Sequence, residues 1–371
     1  MTKQDISINI PSSFKKPVLR LEDGSRRSIC FSGGIITTYI SNRELVIEPV
    51  LEDGVAYIKG PLTQIEVQKL ANECSITPIA FEQITWRQGK CYEIWTPILN
   101  GKKEHKLCPS DLWSNIALHF ARQRFMDKKD CSDAYDDITN IHGKTQEEVL
   151  CRSISLSLRC MDINVRQIHE FYNQKLVDLL STGGADGRIT SDISDQVMAP
   201  YIHSFFMHFG ACRDHLAALI ALRLEKKHHV NDMMRLLGAI VQDDFNADPI
   251  LRLLLSAKII EKNKETGKWN ICGWLKDASE LRKRFVHHTP YGAGSNEAKG
   301  RLSSISKNNG LYKFEYFILG KNEETYDVLD LIEFYYKNIL HLFDEAEFKS
   351  GYDSSIINLT NKDIIDVKIN S

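Results

Sequence analysis

The pattern of apolar and polar positions changes about 140 residues into the chain. Before that point, short runs of alternating apolar and polar residues are separated by turn dipeptides, which is typical of β-strands joined in hairpins. Such runs occupy residues 47–60 and 84–107, with turns predicted at Asp53-Gly54, Gln88-Gly89 and Asn100-Gly101. The first part of the chain therefore predicts antiparallel strands.

Two helices are predicted among these strands. Thr63 and Glu66 have the spacing of a capping box, in which each side chain bonds the backbone amide of the other residue, so a helix is expected to begin there. Residues 110–125 show the apolar spacing of a second helix. We predict a mixed α/β domain at residues 1–140, with the acidic stretch 127–137 as a solvated connection.

From Thr145 onward the apolar period is helical. Thr145 and Glu148 form a second capping box. Helices are predicted at 147–161, 162–180, 195–229, 231–243, 248–260, 273–288 and 326–346, and a strand at 313–319. The predicted fold class is thus α+β, in which an all-α helical domain at 141–351 and a polar tail at 352–371 follow the first domain.

Composition limits the classes of function without selecting one. The chain has 371 residues, 47 Lys and Arg against 49 Asp and Glu, and a formal net charge of −2. This balance argues against sequence-independent coating of nucleic acid, although it allows a small basic site. No apolar run approaches the ~18–20 residues of a membrane span, and the N-terminal residues lack the apolar segment of a secretory signal. We therefore expect a cytoplasmic protein that does not bind a membrane.

Cysteine spacing and nucleotide motifs indicate neither a metal nor a cofactor. The 9 cysteines are scattered without a CxxC pair, which is typical of small apolar packing residues in a reducing compartment. His105 and Cys108 are the nearest approach to half of a zinc site, and no second half has suitable spacing. Glycine-rich phosphate loops and the G-x-S-x-G motif of hydrolases are absent from the sequence.

Basic residues gather at the end of the helix predicted at 273–288, in the segment LRKRFVHHTPYG. On a helical wheel an apolar stripe is formed by Trp274, Ala278, Leu281 and Phe285. Arg282 lies beside the centre of this stripe, where a guanidinium requires an anion or hydrogen-bond acceptors. Pro290 predicts that the helix ends nearby.

This helix end combines cations with imidazoles. Arg284 and His288 share a helical face because they are four residues apart, and His287 lies where the helix is expected to unwind. An arginine fork grips phosphate, and an imidazole moves protons to or from a ribose 2′-hydroxyl or a leaving oxygen. Cleavage of RNA by attack of a ribose 2′-hydroxyl on the adjacent phosphodiester uses both groups. In the alternative interpretation, the basic residues only complement the helix dipole.

The segment Arg282-Lys-Arg-Phe-Val-His287 resembles the R-x4-6-H motif of the HEPN superfamily. HEPN domains are small helical bundles, and many are metal-independent ribonucleases. The resemblance covers at most residues 145–347. It implies that Arg282 holds the phosphate, that His287 or His288 transfers protons, and that Asp214 from an earlier helix orients the arginine.

The residues between the motif positions are assigned as phosphate-binding or RNA-binding. Lys283 stands where the family often has asparagine, so part of the usual polar group is missing. Arg284 would add positive potential to the site. For Asp214, pairing with the adjacent Arg213 is an equally acceptable interpretation of the sequence.

The resemblance implies an endoribonuclease that leaves 2′,3′-cyclic phosphate and 5′-hydroxyl ends on tRNA or mRNA. It also implies a homodimer with a composite site, a trigger or regulatory partner for residues 1–140, and a role as a toxin or in phage defence. Two alternatives stay open. One is a non-enzymatic helical interaction or dimerisation module, and the other is a winged-helix nucleic-acid-binding regulator, suggested by the helix and two β-like runs at 250–271.

Overall fold

The structure is a computed structural model, which describes residues 20–52, 55–99, 107–128, 144–191, 193–227, 229–293, 297, 299–306, 308, 310–319 and 324–358. The described strands are β1 (Ser25–Phe31), β2 (Ile36–Tyr39), β3 (Glu44–Glu52), β4 (Val55–Thr63), β5 (Pro78–Arg87), β6 (Lys90–Pro97), β7 (Ile189–Thr190), β8 (Ile260–Lys262), β9 (Trp269–Ile271), β10 (Gly300–Ser306), β11 (Leu311–Leu319) and β12 (Thr325–Asp327).

The described α-helices are α1 (Gln64–Glu73), α2 (Pro109–Lys128), α3 (Gln146–Ser181), α4 (Met198–Arg223), α5 (Met233–Ala239), α6 (Asp244–Ala247), α7 (Pro249–Ser256), α8 (Gly273–His287) and α9 (Val328–Ser350). Short 3-10 helices lie at Ser32–Gly34 and Ile193–Val197. This combination confirms the α+β class. No helix in the described ranges has the length and apolar character needed to span a lipid bilayer.

The chain packs into two compact units that do not follow the predicted domain boundary. Unit 1 contains the described residues of Met1–Glu104, Cys160–Gly210 and Trp274–His341, and unit 2 those of His105–Arg159, Ala211–Gly273 and Leu342–Ser371. Residue 140, where we predicted the boundary, lies outside the described residues. Each of the two units draws on sequence from both sides of the predicted boundary.

The N-terminal strands of unit 1 form one six-stranded sheet in the order β4-β3-β2-β1-β5-β6. All its neighbouring strands are antiparallel, and both predicted hairpins are confirmed. The turn between β5 and β6 uses positive φ at Gln88 and Gly89, which matches the right-handed twist of the flanking strands. The capping box of Thr63 and Glu66 is complete and begins α1. The turns predicted at Asp53-Gly54 and Asn100-Gly101 involve residues outside the described ranges.

The sheet is joined to the second half of α3 by close backbone contact. Gly34 has a positive φ of 81°, and a Cβ there would lie 2.6 Å from the backbone carbon of Tyr172. Asn173 donates a hydrogen bond of 2.8 Å to the carbonyl oxygen of Gly34. These contacts require the absence of a side chain at Gly34. They also place the part of α3 from Cys160 onward, predicted as part of a separate domain, within the same unit as the sheet.

The C-terminal part of the chain is not helical throughout. A second sheet in unit 1 has the order β12-β11-β10-β7, with antiparallel pairs. Of these four strands the sequence predicted only β11.

The helices predicted at 147–161 and 162–180 form the single 36-residue helix α3, because no helix breaker separates them. Asp162 at the junction is buried, and its carboxylate accepts a hydrogen bond from the hydroxyl of Tyr336.

Unit 2 is built around Trp113 of α2, which is fully buried and donates a 3.0 Å hydrogen bond to the carbonyl oxygen of Phe343. The segment predicted as a polar tail begins within this unit. The ring of Tyr352 packs edge-on against Phe120 at 5.1 Å, and Asn115 donates to the carbonyl oxygen of Ser354. The start of the tail is therefore packed, and residues 359–371 lie outside the described part.

Candidate functional site

The predicted motif lies at the C-terminal end of α8. The apolar stripe faces the core, since Leu275, Ala278 and Phe285 are buried. The helix ends at His287, and the amides of His288 and Thr289 both donate to the carbonyl oxygen of Arg284 at 2.9 Å. This pattern closes the last turn and satisfies a carbonyl that would otherwise have no partner.

The chain that follows α8 is anchored by Tyr291, whose ring is buried. Its amide donates a 2.9 Å hydrogen bond to Nε2 of His203 on α4, and its hydroxyl donates to the carbonyl oxygen of Phe317 on β11. His203 also stacks on the ring of Phe285. Burial lowers the pKa of His203, so the imidazole is neutral and accepts through Nε2. His203 is therefore a packing residue that positions the end of α8.

Arg284 is bound within the fold. Its guanidinium donates to the carbonyl oxygen of Leu319 at 2.6 Å and to the carboxylate of Glu297. The side chain of Glu297 is 0% exposed, and it also accepts hydrogen bonds from the amides of Gly292 and Leu319. Since Glu297 balances its charge, Arg284 ties α8 to Glu297 and to the end of β11, and it contributes less positive potential than the sequence suggested.

Arg282, two residues earlier, has a different environment. Its side chain is half-buried against Gly210 of α4. Its Nε atom is buried and has no hydrogen-bond partner among the residues whose placement is described. A buried donor without a partner costs about 1–3 kcal/mol. The sequence placed this arginine beside the apolar stripe, and the half-buried position agrees with that placement.

The remaining predicted residues on this helix end are exposed. The side chains of Lys283, His287 and His288 point into solvent. At the helical rise per residue, His287 lies about 7.5 Å beyond Arg282 along the axis. The end of α8 therefore presents exposed imidazoles and an exposed ammonium group next to a half-buried guanidinium.

Asp214 belongs to unit 2 and has partners there. Its Oδ1 accepts hydrogen bonds from Nε of the adjacent Arg213 at 2.9 Å and from the amide of Met233 at 3.3 Å. This is the pairing with Arg213 that the sequence left open, and it joins α4 to the first residue of α5. The role of Asp214 in orienting Arg282 stays a prediction.

A cavity of about 860 Å³ lies beside α8 in unit 1. Its walls include Asp277 and Arg284 of α8, Arg301 of β10, and Asp327 and Asp330 around the start of α9. Burial, and the nearby charge of Asp330, raise the pKa of Asp327 to about 7. Sequence reasoning missed this cavity, because its walls come from segments that no local pattern connects.

Sequence reasoning also missed Gly210 and Glu297. Gly210 lies inside a helical pattern, and Glu297 lies between the helix predicted at 273–288 and the strand predicted at 313–319, where no element was predicted. Within the described ranges, no group of three or more His, Cys, Asp or Glu side chains is arranged to hold a metal ion. Comparison of the chain with protein-family models, curated proteins and solved structures found no match.

Proposed function

We propose that this chain is a cytoplasmic, metal-independent endoribonuclease of the HEPN type, with its site at the C-terminal end of α8. The observation that supports the proposal most is the guanidinium of Arg282, which is half-buried and whose Nε atom lacks an acceptor in the described part of the chain. A partly desolvated cation binds an anion strongly, and the planar fork of arginine matches phosphate oxygens. Two exposed histidines follow on the same helix end.

In the proposed reaction, Arg282 donates hydrogen bonds to the non-bridging oxygens of one RNA phosphate and stabilises the charge that develops on them. One imidazole, of His287 or His288, removes the proton of the ribose 2′-hydroxyl. The 2′-oxygen forms a bond to phosphorus while the bond from phosphorus to the 5′-oxygen breaks, and the departing oxygen takes a proton from an imidazolium. The products are a 2′,3′-cyclic phosphate and a 5′-hydroxyl.

Other groups would bind the RNA and control the reaction. Lys283 is exposed next to Arg282 and would bind a neighbouring phosphate by charge. In keeping with the resemblance, two copies would combine their sites in a homodimer. The target would be tRNA or mRNA, residues 1–140 would receive a trigger or regulatory partner, and the biological role would be that of a toxin or phage-defence effector.

The test is to incubate the purified full chain with tRNA and with mRNA in the presence of EDTA. We expect cleavage by the wild type, with cyclic phosphate ends. Removal of an acid–base imidazole lowers rates by about 10²–10⁴-fold, so His287→Ala or His288→Ala should abolish detectable cleavage, as should Arg282→Ala. His341→Ala, at an exposed histidine elsewhere on a helix, is the matched control. No cleavage, or cleavage that survives both histidine changes, contradicts the proposal.

The winged-helix alternative is favoured by one observation, the hairpin of β8 and β9 directly after α7. The arginines near this hairpin are already engaged, however. Arg252 of α7 donates to the carbonyl oxygens of Phe245 and Asn246, and Arg235 of α5 is held by Asn231. Salt-sensitive binding of duplex DNA without RNA cleavage would select this regulator instead.

A further inference from the structure

The side chain of Arg282 lies directly over Gly210, which is buried in the interior of α4. A Cβ at Gly210 would lie 2.3 Å from Nε, 2.5 Å from Cδ and 3.0 Å from Cζ of Arg282. These separations are shorter than van der Waals contact between heavy atoms. Any larger residue at this position would therefore have to displace the guanidinium.

The conformation of α4 does not require glycine at this position. Gly210 lies within a continuous helix of 26 residues and is not in the left-handed region. A glycine in a helix interior costs about 1 kcal/mol relative to alanine. The helix would be more stable with alanine, so the contact with Arg282 is the physical reason for the glycine.

We infer that Gly210 is a positioning residue, which seats the guanidinium of Arg282 flat against the backbone of α4 so that its fork faces a phosphate oxyanion. The identity of the ligand rests on the proposed ribonuclease function, whereas the placement of the Arg282 side chain by Gly210, called the seating below, does not. The atoms nearest a new Cβ belong to a flexible side chain. Alanine at position 210 would thus turn Arg282 outward and leave the remaining packing of the helix intact.

The first measurement is independent of RNA. We would compare the reaction of phenylglyoxal with Arg282 in the wild type, in Gly210→Ala and in Gly238→Ala, by mass spectrometry of the peptides. Gly238 is the matched control because it is also a helical glycine, and a Cβ there meets nothing within 4 Å. We expect Arg282 to react several-fold faster in Gly210→Ala only, without a lower melting temperature, whereas Arg284 should react equally in all three proteins.

The second measurement is RNA cleavage by the same proteins. A displacement of about 1 Å in a positioned group costs about 100-fold in rate, so Gly210→Ala should lose about that much and Gly238→Ala should lose little. In an Arg282→Ala background, adding Gly210→Ala should cause no further loss, because the two residues act through one guanidinium.

The outcomes separate the seating from the proposed function. Unchanged reactivity of Arg282 in Gly210→Ala overturns the seating, whatever the cleavage rates are. Increased reactivity in a protein whose wild type does not cleave RNA supports the seating and rejects the ribonuclease. Increased reactivity with normal cleavage rejects the role of Gly210 in positioning. If Gly210→Ala unfolds, the double variant Gly210→Ala with Arg282→Ala must fold, because the smaller side chain at position 282 leaves room for the new Cβ. Failure of the double variant to fold also overturns the inference.

Discussion

Replacement of Glu297 should destabilise the protein more than replacement of any exposed acidic residue. Its carboxylate is completely buried. It accepts hydrogen bonds from the guanidinium of Arg284 and from the amides of Gly292 and Leu319. In Glu297→Ala these donors lose their acceptor, while the charge of Arg284 stays in a partly buried position.

The magnitude follows from the contacts. The hydrogen bond between Arg284 and the Glu297 carboxylate contributes about 1.5–3 kcal/mol to the free energy of unfolding, and each of the two backbone hydrogen bonds contributes about 1 kcal/mol. Their removal suggests a loss of about 4 kcal/mol in the free energy of unfolding. The side chain of Arg284 is 24% exposed, so its guanidinium regains some hydration when Glu297 is removed. We therefore expect a loss of about 3 kcal/mol for Glu297→Ala, the lower end of the range for broken buried ion pairs. Glu297→Gln keeps one acceptor and should lose less.

Urea denaturation followed by circular dichroism measures this loss as a change in midpoint at constant slope. Glu73→Ala is the control, because the ion pair of Glu73 with Lys69 is exposed and its N···O distance is 3.8 Å, so removal should change the stability little. A loss below about 1 kcal/mol for Glu297→Ala would refute the reasoning, since it would mean that Glu297 is not the acceptor that holds Arg284 and the amides of Gly292 and Leu319.

Three further changes test individual contacts. Burial lowers the pKa of His203 below its usual 6.5, so the unfolded chain takes up more protons and stability should fall as the pH is lowered through 6.5. His203→Gln can still accept from the amide of Tyr291 and should weaken this pH dependence in urea denaturation, whereas an unchanged pH dependence contradicts the prediction. Asp330→Asn removes a like charge and should lower the pKa of Asp327, measured by carboxyl carbon NMR, whereas an unchanged pKa would exclude that interaction. Thr63→Ala should cost about 1 kcal/mol of unfolding free energy, because it removes the N-cap of α1, and a negligible loss would contradict the capping.

Local features of this protein could be predicted because their causes lie within a few residues. The capping box of Thr63 and Glu66 spans one helical turn, and the hairpin of β5 and β6 needs only a turn dipeptide between alternating runs. The apolar stripe of α8 is also local, and it placed Arg282 correctly beside the core. These features depend on backbone geometry, which neighbouring residues decide.

Features that depend on distant partners could not be predicted. The sequence of β10, GRLSSIS, is rich in serine, and it becomes a strand because it pairs with β7 and β11. The helix α3 was assigned to a separate domain, since nothing in its period indicates that Asn173 bonds Gly34 in the sheet. Tertiary contacts of this kind override local propensity.

Arg282 and Arg284 of α8 show most clearly which properties the local sequence decides and which depend on distant partners. The sequence by itself determined that Arg282 and Arg284 lie near the end of an amphipathic helix and that histidines follow them. Only the tertiary structure decided that Glu297 neutralises Arg284, whereas Arg282 lies on Gly210 with a buried Nε that has no acceptor among the described residues. The physical reason is that a charge is balanced by whatever the folded chain brings within a few ångströms of it, and spacing along a helix carries no information about that.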